Sequence, residues 1–289
     1  MLGEHGYNLY EWKQHLKHHI NDNYNTANRM KTIETLSNTV SSRDFINCTE
    51  KRVKLSKHNL PITGLSSFPG SGNTWTRHLI QQMTGLATSS EYCDRSLLNN
   101  GFPYECSTDR SHMIVVKTHE TKHYHSFQKL VLLIRNPYDA LLSMFHITEA
   151  GHTGKPDIEK LKQRCDKLFD QLVTWFISLI GNTINEFRGP VYVIQYDELK
   201  RNMKEELKKL AVFLDVEVTP RDIDCTAKLQ EGNFHRKANF TEHLDILQNV
   251  YSKEQLLTLR QVARFSEKLI QRAYGLSLNI GGQVEELLF

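Results

Sequence analysis

The sequence has no long hydrophobic run. Uninterrupted apolar stretches, such as residues 130–134, are no longer than five residues, whereas a helix that spans a bilayer needs about 20. Residues 1–5 contain no hydrophobic segment of a signal peptide. The sequence therefore predicts neither a membrane span nor a secretion signal.

A strong charge of either sign is also missing. Lys and Arg number 36 against 33 Asp and Glu, which gives a formal net charge of +3. This is far from the basic excess of a dedicated nucleic-acid-binding protein, so we expect no nucleic-acid partner. Any anionic ligand must be held by a local cluster of cations. Hydrophobic residues make up 39% of the 289 residues, which is enough for a large buried core.

Cysteine pairs of the CxxC type are absent, which excludes a zinc ribbon or a thioredoxin-like motif. Because no secretion signal is visible, we interpret the cysteines as buried thiols. One pair is an exception, since the 12 residues between Cys93 and Cys106 suit a disulfide-closed loop. The five cysteines are Cys48, Cys93, Cys106, Cys165 and Cys225.

The distribution of apolar residues divides the chain. Residues 1–60 are polar, without a sustained apolar period, and are predicted to form an N-terminal extension. Residues 61–289 are predicted to form one α/β domain with a central parallel sheet flanked by helices, because apolar strands alternate with helices. The predicted strands are 62–68, 113–118, 130–134 and 191–196, and the predicted helices are 74–84, 137–149, 158–180, 198–214 and 252–274.

A glycine-rich turn follows the first predicted strand. It contains Gly70 and Gly72 and leads directly into a helix. Glycines let backbone N–H groups surround an anion, and a helix N-terminus adds about half a positive charge at the same point. The pattern favours a nucleotide phosphate, although a turn capped by Asn73 or Thr74 would also explain it. It is not a Walker A loop, because that motif requires a lysine that is absent here.

A cation stands at the end of another predicted strand. Apolar residues 130–134 are followed by Arg135, then by Asn136 and Pro137, which are typical of a helix start. Open α/β sheets bind ligands at such carboxyl ends of strands. Arg135 is therefore a candidate anion ligand, with a surface cation as the alternative interpretation.

The two stretches together resemble the donor-binding signatures of the sulfotransferase superfamily, which uses 3′-phosphoadenosine 5′-phosphosulfate (PAPS) as its sulfonate donor. Residues 67–75, SFPGSGNTW, resemble the 5′-phosphosulfate loop, and residues 135–143, RNPYDALLS, resemble the 3′-phosphate motif. The first stretch is most similar to the sulfotransferase domain of WSC-domain-containing sulfotransferases. The resemblance covers residues 61–275 and implies a P-loop-like, three-layer fold.

The resemblance also implies a set of donor ligands. Arg135 and Ser143 would bind the 3′-phosphate, and Tyr196 would contact the adenosine. A late loop that contains Arg236 and Lys237 would close over the 3′-phosphate. The loop residues that would grip the 5′-phosphate and the sulfate are Ser71, Gly72, Asn73, Thr74 and Trp75.

The catalytic candidates lie in a third stretch. Lys117-Thr118-His119 is similar to the Lys-Thr-His that follows a strand in cytosolic sulfotransferases. A neutral histidine there can take the proton from an acceptor hydroxyl, so we expect His119 to be the general base. Lys117 points to the same side of an extended segment and is expected to stabilise the transferred sulfonate.

One departure from the superfamily concerns Gly70, where many members carry a lysine that stabilises charge on the bridging oxygen. Because this lysine is absent here, we expect Arg77 or Lys117 to supply the stabilising positive charge. The alternative is a non-catalytic member of the fold that binds the nucleotide without transfer.

A less favoured alternative is a zinc hydrolase, because residues 119–123 also spell HExxH. That motif requires a helix, whereas the preceding residues are β-branched and no helical apolar period follows. We expect no metal, because the sulfonate of PAPS is already activated as a mixed anhydride. The resemblance to WSC-domain proteins implies a hydroxyl-bearing carbohydrate as acceptor. It also implies the Golgi lumen, whereas the missing secretion signal favours the cytoplasm, and the sequence leaves the compartment and the oligomeric state open.

Overall fold

A computed structural model describes residues 47–151, 157–232 and 240–288 of the chain. Its centre is a five-stranded sheet with the order β2-β3-β1-β4-β5, in which every neighbouring pair is parallel. The strands are β1 (Thr63–Ser67), β2 (Thr88–Ser90), β3 (Val115–Thr118), β4 (Lys129–Ile134) and β5 (Val191–Gln195). This confirms the predicted α/β fold with a central parallel sheet.

Helices cover both faces of the sheet. One face packs against α1, α6 and α7, and the other against α3, α4, α8 and α9. The helices are α1 (Asn73–Thr84), α2 (Arg95–Asn99), α3 (Pro137–Ala150), α4 (Ile158–Glu186), α5 (Tyr196–Arg201), α6 (Met203–Phe213), α7 (Pro220–Lys228), α8 (Phe240–Val250), α9 (Lys253–Tyr274) and α10 (Gly282–Leu288), with a 3₁₀ helix at Thr121–Ser126.

Strand β4 shows why the apolar run in the sequence is continuous. Val131 and Leu133 pack with α1 and α6, whereas Leu132 and Ile134 pack with α3 and α4. Successive strand residues point to opposite faces, so a strand that is covered on both faces needs apolar residues at every position. The arrangement is a three-layer structure with a hydrophobic core on each face of the sheet and a smaller third cluster around Tyr124 and Phe127.

Local boundaries differ from the predictions in a few places. The helix predicted at 198–214 is divided at Asn202, which ends α5 and begins α6 with φ −118° and ψ 42°. Asparagine favours helix termini over interiors because its side chain competes for backbone hydrogen bonds. The short strand β2 was not predicted, because the three residues Thr88–Ser90 carry no apolar pattern.

The cysteines form two disulfides. Cys93 and Cys106 are joined, with their Cα atoms 4.5 Å apart, as the loop length predicts. Cys48 is joined to Cys225, 177 residues away, so the interpretation as buried thiols is wrong for these two cysteines. Only Cys165 is a free, buried thiol. A pair so distant in sequence becomes visible only once the fold brings the two segments together.

A helix can cross a bilayer only when about 20 consecutive residues are mostly apolar. Within residues 47–151, 157–232 and 240–288, none combines the length and the apolar character needed to cross a membrane.

Candidate functional site

The carboxyl ends of the parallel strands meet at one edge of the sheet. The glycine-rich loop follows β1, His119 follows β3, Arg135 follows β4, and Tyr196 follows β5. This edge is where open parallel sheets bind ligands, because strand ends and helix N-termini face the same space. The topology therefore brings the three predicted motifs to one place.

The loop after β1 presents unpaired amides to this space. Gly70 and Gly72 have φ angles of 85° and 92°, a left-handed conformation that glycine adopts without a steric cost. The first bond of α1 runs from the N–H of Thr76 to the carbonyl oxygen of Gly72, at 2.9 Å. No described residue accepts from the N–H groups of residues 72–75. Such a cradle at a helix N-terminus fits a phosphate or sulfate group.

Buried polar atoms of the loop point to the same ligand class. The Ser71 hydroxyl and the Asn73 carbonyl oxygen are buried without a partner in the described chain. The Asn73 amide nitrogen donates to Leu65 O at 3.0 Å and to Ser67 Oγ at 3.1 Å, which anchors the loop to β1. A buried polar atom without a partner costs stability. An anionic ligand would accept from the Ser71 hydroxyl and so satisfy it, whereas the Asn73 carbonyl oxygen only accepts and requires a donor. Thr74 and Trp75 are half-buried in the first turn of α1.

Arg135 connects the end of β4 to this loop. Its Nη1 donates to the carbonyl oxygen of Gly70 at 3.0 Å, and its Nη2 pairs with Asp139 at 3.2 Å. The Nε is buried and has no described partner. Ser143 lies beside the same turn, since its Cβ would be 3.0 Å from a Cβ at residue 70. The pair predicted to bind a 3′-phosphate therefore borders the glycine-rich loop.

Asp139 lies between Arg135 and His243. The His243 Nε2 is 2.6 Å from its other carboxylate oxygen. Burial by itself raises the pKa of Asp139, but Arg135 and His243 outweigh this effect and hold the pKa well below its usual range. Asp139 is therefore a fixed anion that orients the guanidinium of Arg135.

Tyr196 forms an aromatic wall at the loop. A Cβ at residue 72 would lie 2.5 Å from the Tyr196 ring, so only glycine allows this approach. The Arg135 guanidinium lies 4.6 Å from the ring centroid, and the Trp75 ring lies 5.3 Å away on an edge contact. Two aromatic rings and a guanidinium beside an anion cradle can accommodate a purine with its phosphates.

His119 is half-buried at the end of β3. Its Nδ1 lies 2.7 Å from the carbonyl oxygen of Ser67. A carbonyl oxygen only accepts, so Nδ1 carries the proton and Nε2 carries the lone pair. Burial, followed by the charge of Lys117, lowers the pKa of His119 to about 3. The imidazole is therefore neutral at pH 7, in the tautomer that a general base requires at Nε2.

Three contacts fix the orientation of His119. The Tyr92 ring stacks on the imidazole with a centroid distance of 5.6 Å and an interplanar angle of 20°. The Tyr92 hydroxyl accepts from the backbone N–H of His119 at 3.0 Å. The Trp175 Nε1 donates to the His119 carbonyl oxygen at 3.3 Å. Tyr92 and Trp175 were not predicted, because no local motif marks them.

Lys117 is 8% exposed in β3 and is the second predicted catalytic residue. No described carboxylate forms an ion pair with it, and its Nζ lies 6.0 Å from the centroid of the Tyr92 ring. Burial, followed by the charge of Arg77, lowers the pKa of Lys117 to about 8. The amine is therefore a cation at neutral pH, without a competing anion to neutralise it.

Arg77 is not placed to replace the positive charge of the lysine that many superfamily members carry at the position of Gly70. This is contrary to one of the two expectations. Its side chain is fully buried and pairs with Glu105 at 2.6 Å. Of the two expected cations, Lys117 is the one without an ion-pair partner among the described residues. The other two predicted donor ligands, Arg236 and Lys237, lie outside the described residues.

The HExxH pattern does not assemble as a metal site. His123 lies in the 3₁₀ helix, 3.5 Å from Glu91, and makes an edge contact with the Tyr92 ring. His119 lies on the stacked face of that ring. Among the described residues, no group of three or more His, Cys, Asp or Glu side chains is arranged to hold a metal ion.

Comparisons with known proteins identify the family of the chain. The family model described as a sulfotransferase domain matches residues 63–264. WSCD family member CG9164 of Drosophila melanogaster is 36% identical over 202 residues, which cover 67% of this chain and 63% of that protein. The 3-alpha-hydroxysteroid sulfotransferase of Cavia porcellus is 24% identical over 219 residues, which cover 68% and 72%.

The solved structures that resemble the chain include mouse sulfotransferase SULT7A1 complexed with PAP. That structure has a TM-score of 0.49 and 16% identity, and the alignment covers 81% of this chain and 90% of the mouse chain. The present chain spans about three fifths of the length of the WSCD family members that it matches.

Proposed function

Because the chain belongs to the sulfotransferase domain family, we propose that it transfers a sulfonate group from PAPS to a hydroxyl acceptor. One observation carries the proposal. The glycine-rich loop, whose N–H groups at residues 72–75 have no described acceptor, lies at the same edge of the sheet as His119, whose Nε2 carries no proton. The first feature suits the donor's phosphate and sulfate, and the second suits the acceptor's hydroxyl proton.

The donor's charges are matched to the residues that border the loop. The amides of residues 72–75 and the Ser71 hydroxyl would hold the 5′-phosphosulfate. Arg135 and Ser143 would hold the 3′-phosphate, with Asp139 keeping the guanidinium in place. Tyr196 and Trp75 would flank the adenosine. The predicted ligands Arg236 and Lys237 would complete the 3′-phosphate contacts.

Transfer then proceeds by in-line displacement at sulfur. The acceptor oxygen forms a new bond to sulfur while the bond from sulfur to the bridging phosphate oxygen breaks, and adenosine 3′,5′-bisphosphate leaves. The acceptor proton passes to Nε2 of His119. Negative charge grows on the bridging oxygen and the sulfonate, where Lys117 stabilises it. The chain's residues need only position and neutralise the reactants, so the mechanism uses no metal.

We further propose that the acceptor is a carbohydrate hydroxyl. The carbohydrate assignment rests on the resemblance of the loop sequence, residues 67–75, to WSC-domain sulfotransferases and on the similarity to a WSCD family member. It is an inference by analogy, since a fold supports many acceptors, and it is separable from the donor assignment.

The test is transfer of radiolabelled sulfonate from [³⁵S]PAPS to a panel of oligosaccharides, with a phenol and a steroid alcohol as other acceptors. We expect labelled oligosaccharide, and a loss of about 10²–10⁴-fold in the His119→Gln variant. His125→Gln is the matched control, because His125 is an exposed histidine of the 3₁₀ helix. Label on the phenol or the steroid alone would overturn the carbohydrate assignment. Donor binding without transfer to any acceptor would identify the non-catalytic alternative.

A further inference from the structure

The Cys93–Cys106 disulfide joins the two backbone segments that carry Tyr92 and Glu105. The Cα atoms of the two cysteines are 4.5 Å apart, although 13 positions separate them in sequence. Tyr92 precedes the first cysteine and contacts His119 and Lys117. Glu105 precedes the second cysteine and is fully buried. The closed loop therefore delivers an aromatic ring and a carboxylate to the interior beside β3.

Glu105 neutralises an arginine that has no access to solvent. Its Oε2 lies 2.6 Å from Arg77 Nη2, and both side chains are fully buried. The Arg77 Nε donates to Thr88 Oγ1 at 3.0 Å, and the guanidinium lies 4.4 Å from the Phe102 ring centroid. A buried cation without an anion is strongly destabilising, because its hydration is lost without compensation.

The sheet register places this ion pair on the side of the sheet that Lys117 faces. Thr88, which binds Arg77, is paired with Val115, and Lys117 follows Val115 by two residues. Residues two apart in a strand point to the same face, and Val115 packs with α1, the helix that carries Arg77. Lys117 and Arg77 are thus two buried cations on one face, with Glu105 as the nearby anion.

Other charges around Lys117 do not replace Glu105. From β3 itself His119 faces it, and His119 is neutral. From the segment after β2, Asp94 and the Tyr92 ring face it. Asp94 is also the cap of α2, where its carboxylate accepts from the N–H groups of Ser96 and Leu97. Glu105 is the anion that contacts the second cation directly.

We propose that Glu105 is a positioning residue for sulfonate transfer, which neutralises Arg77 and thereby keeps Lys117 protonated at the sheet edge. The inference rests on the proposed function, since it assigns Lys117 the role of the transition-state cation. It also gives the Cys93–Cys106 disulfide a role, because this bridge fixes the backbone next to Tyr92 and Glu105.

The test follows the titration of Lys117 itself. In protein labelled with ¹⁵N-lysine, the Nζ signal of Lys117 is assigned by its absence in Lys117→Arg. Because burial lowers the pKa of Lys117 to about 8, we expect a midpoint near pH 8 in the native chain. In Glu105→Gln we expect it to fall by about one pH unit, because the repulsion from Arg77 is no longer offset. The pH at which the transfer rate declines should fall in parallel.

Two further variants keep the inference falsifiable. If Glu105→Gln fails to fold, the double variant Arg77→Gln/Glu105→Gln removes both charges of the buried ion pair and should raise the midpoint above that of the native chain, because the repulsion from Arg77 is also gone. Glu149→Gln removes the carboxylate of another ion pair, with Arg164, and should leave the midpoint unchanged. A midpoint unaffected in both Glu105 variants would overturn the proposal.

The titration and the transfer assay separate the two claims. A shifted Lys117 midpoint in a protein without transfer would contradict the proposed function while preserving the electrostatic role of Glu105. A rate lowered equally at every pH, with an unshifted midpoint, would show a merely structural role for Glu105.

Discussion

Gly70 packs against the carbonyl oxygen of Ala140, and a Cβ at position 70 would lie 2.4 Å from that oxygen. Its φ of 85° is also unfavourable for any residue with a side chain. The position at which many sulfotransferases carry a lysine therefore has no room for one in this chain. The charge must come from elsewhere, and we propose that Lys117, in the neighbouring strand β3, supplies it.

We expect Gly70→Ala to destabilise the protein more than Gly275→Ala does. Both glycines have positive φ, but a Cβ at Gly275 meets nothing within 4 Å, so its substitution isolates the backbone strain of about 1–2 kcal/mol. At Gly70 the clash adds about 1–3 kcal/mol. Urea denaturation measures both values. Equal losses would show that the close contact with Ala140 is absent in solution.

The transfer rate should decline as the pH rises through about 8, because Lys117, whose pKa is lowered to that value, then loses its proton. Below this pH the amine is a cation and stabilises the departing charge. In Lys117→Arg the guanidinium stays protonated, so the decline should disappear from this range. The measurement is kcat against pH for both proteins. A decline at the same pH in Lys117→Arg would assign it to another group.

The native chain should contain one titratable thiol when it is denatured without a reductant. Four of the cysteines are bridged, and Cys165 alone is free. Thiol titration in guanidinium gives the count, and a sample reduced beforehand serves as the control. Five thiols in the unreduced protein would support the original interpretation of the cysteines and contradict both disulfides.

The overall fold was predictable because its signals are local. The apolar run of β4 and the glycine-rich turn before α1 are visible in single segments, and the parallel sheet follows from their order. The division at Asn202 and the Cys48–Cys225 bridge were not predicted. The first rests on the local preference of one asparagine for a helix terminus, which helix periodicity does not reveal, and the second joins segments that are distant in sequence.

The candidate site was predictable to a similar extent. Residues within the three motifs, such as Arg135 and His119, lie at the expected sheet edge. Tyr92, Glu105 and His243 act through contacts that only the fold creates, because each contacts a residue from a distant segment. The interpretation of Arg77 as an available cation failed for the same reason, since its partner lies in the disulfide loop.

Calorimetric titration with adenosine 3′,5′-bisphosphate, with ATP as the control ligand, determines whether the carboxyl end of the sheet is a donor pocket. We expect selective binding of the bisphosphate by the native chain. Arg135→Met should weaken it by about 1.5–3 kcal/mol, the scale of a hydrogen bond to a charged group, while Arg272→Met, at an exposed arginine of α9, should not. Absence of binding by the folded native chain, or equal affinity for ATP, would contradict the account.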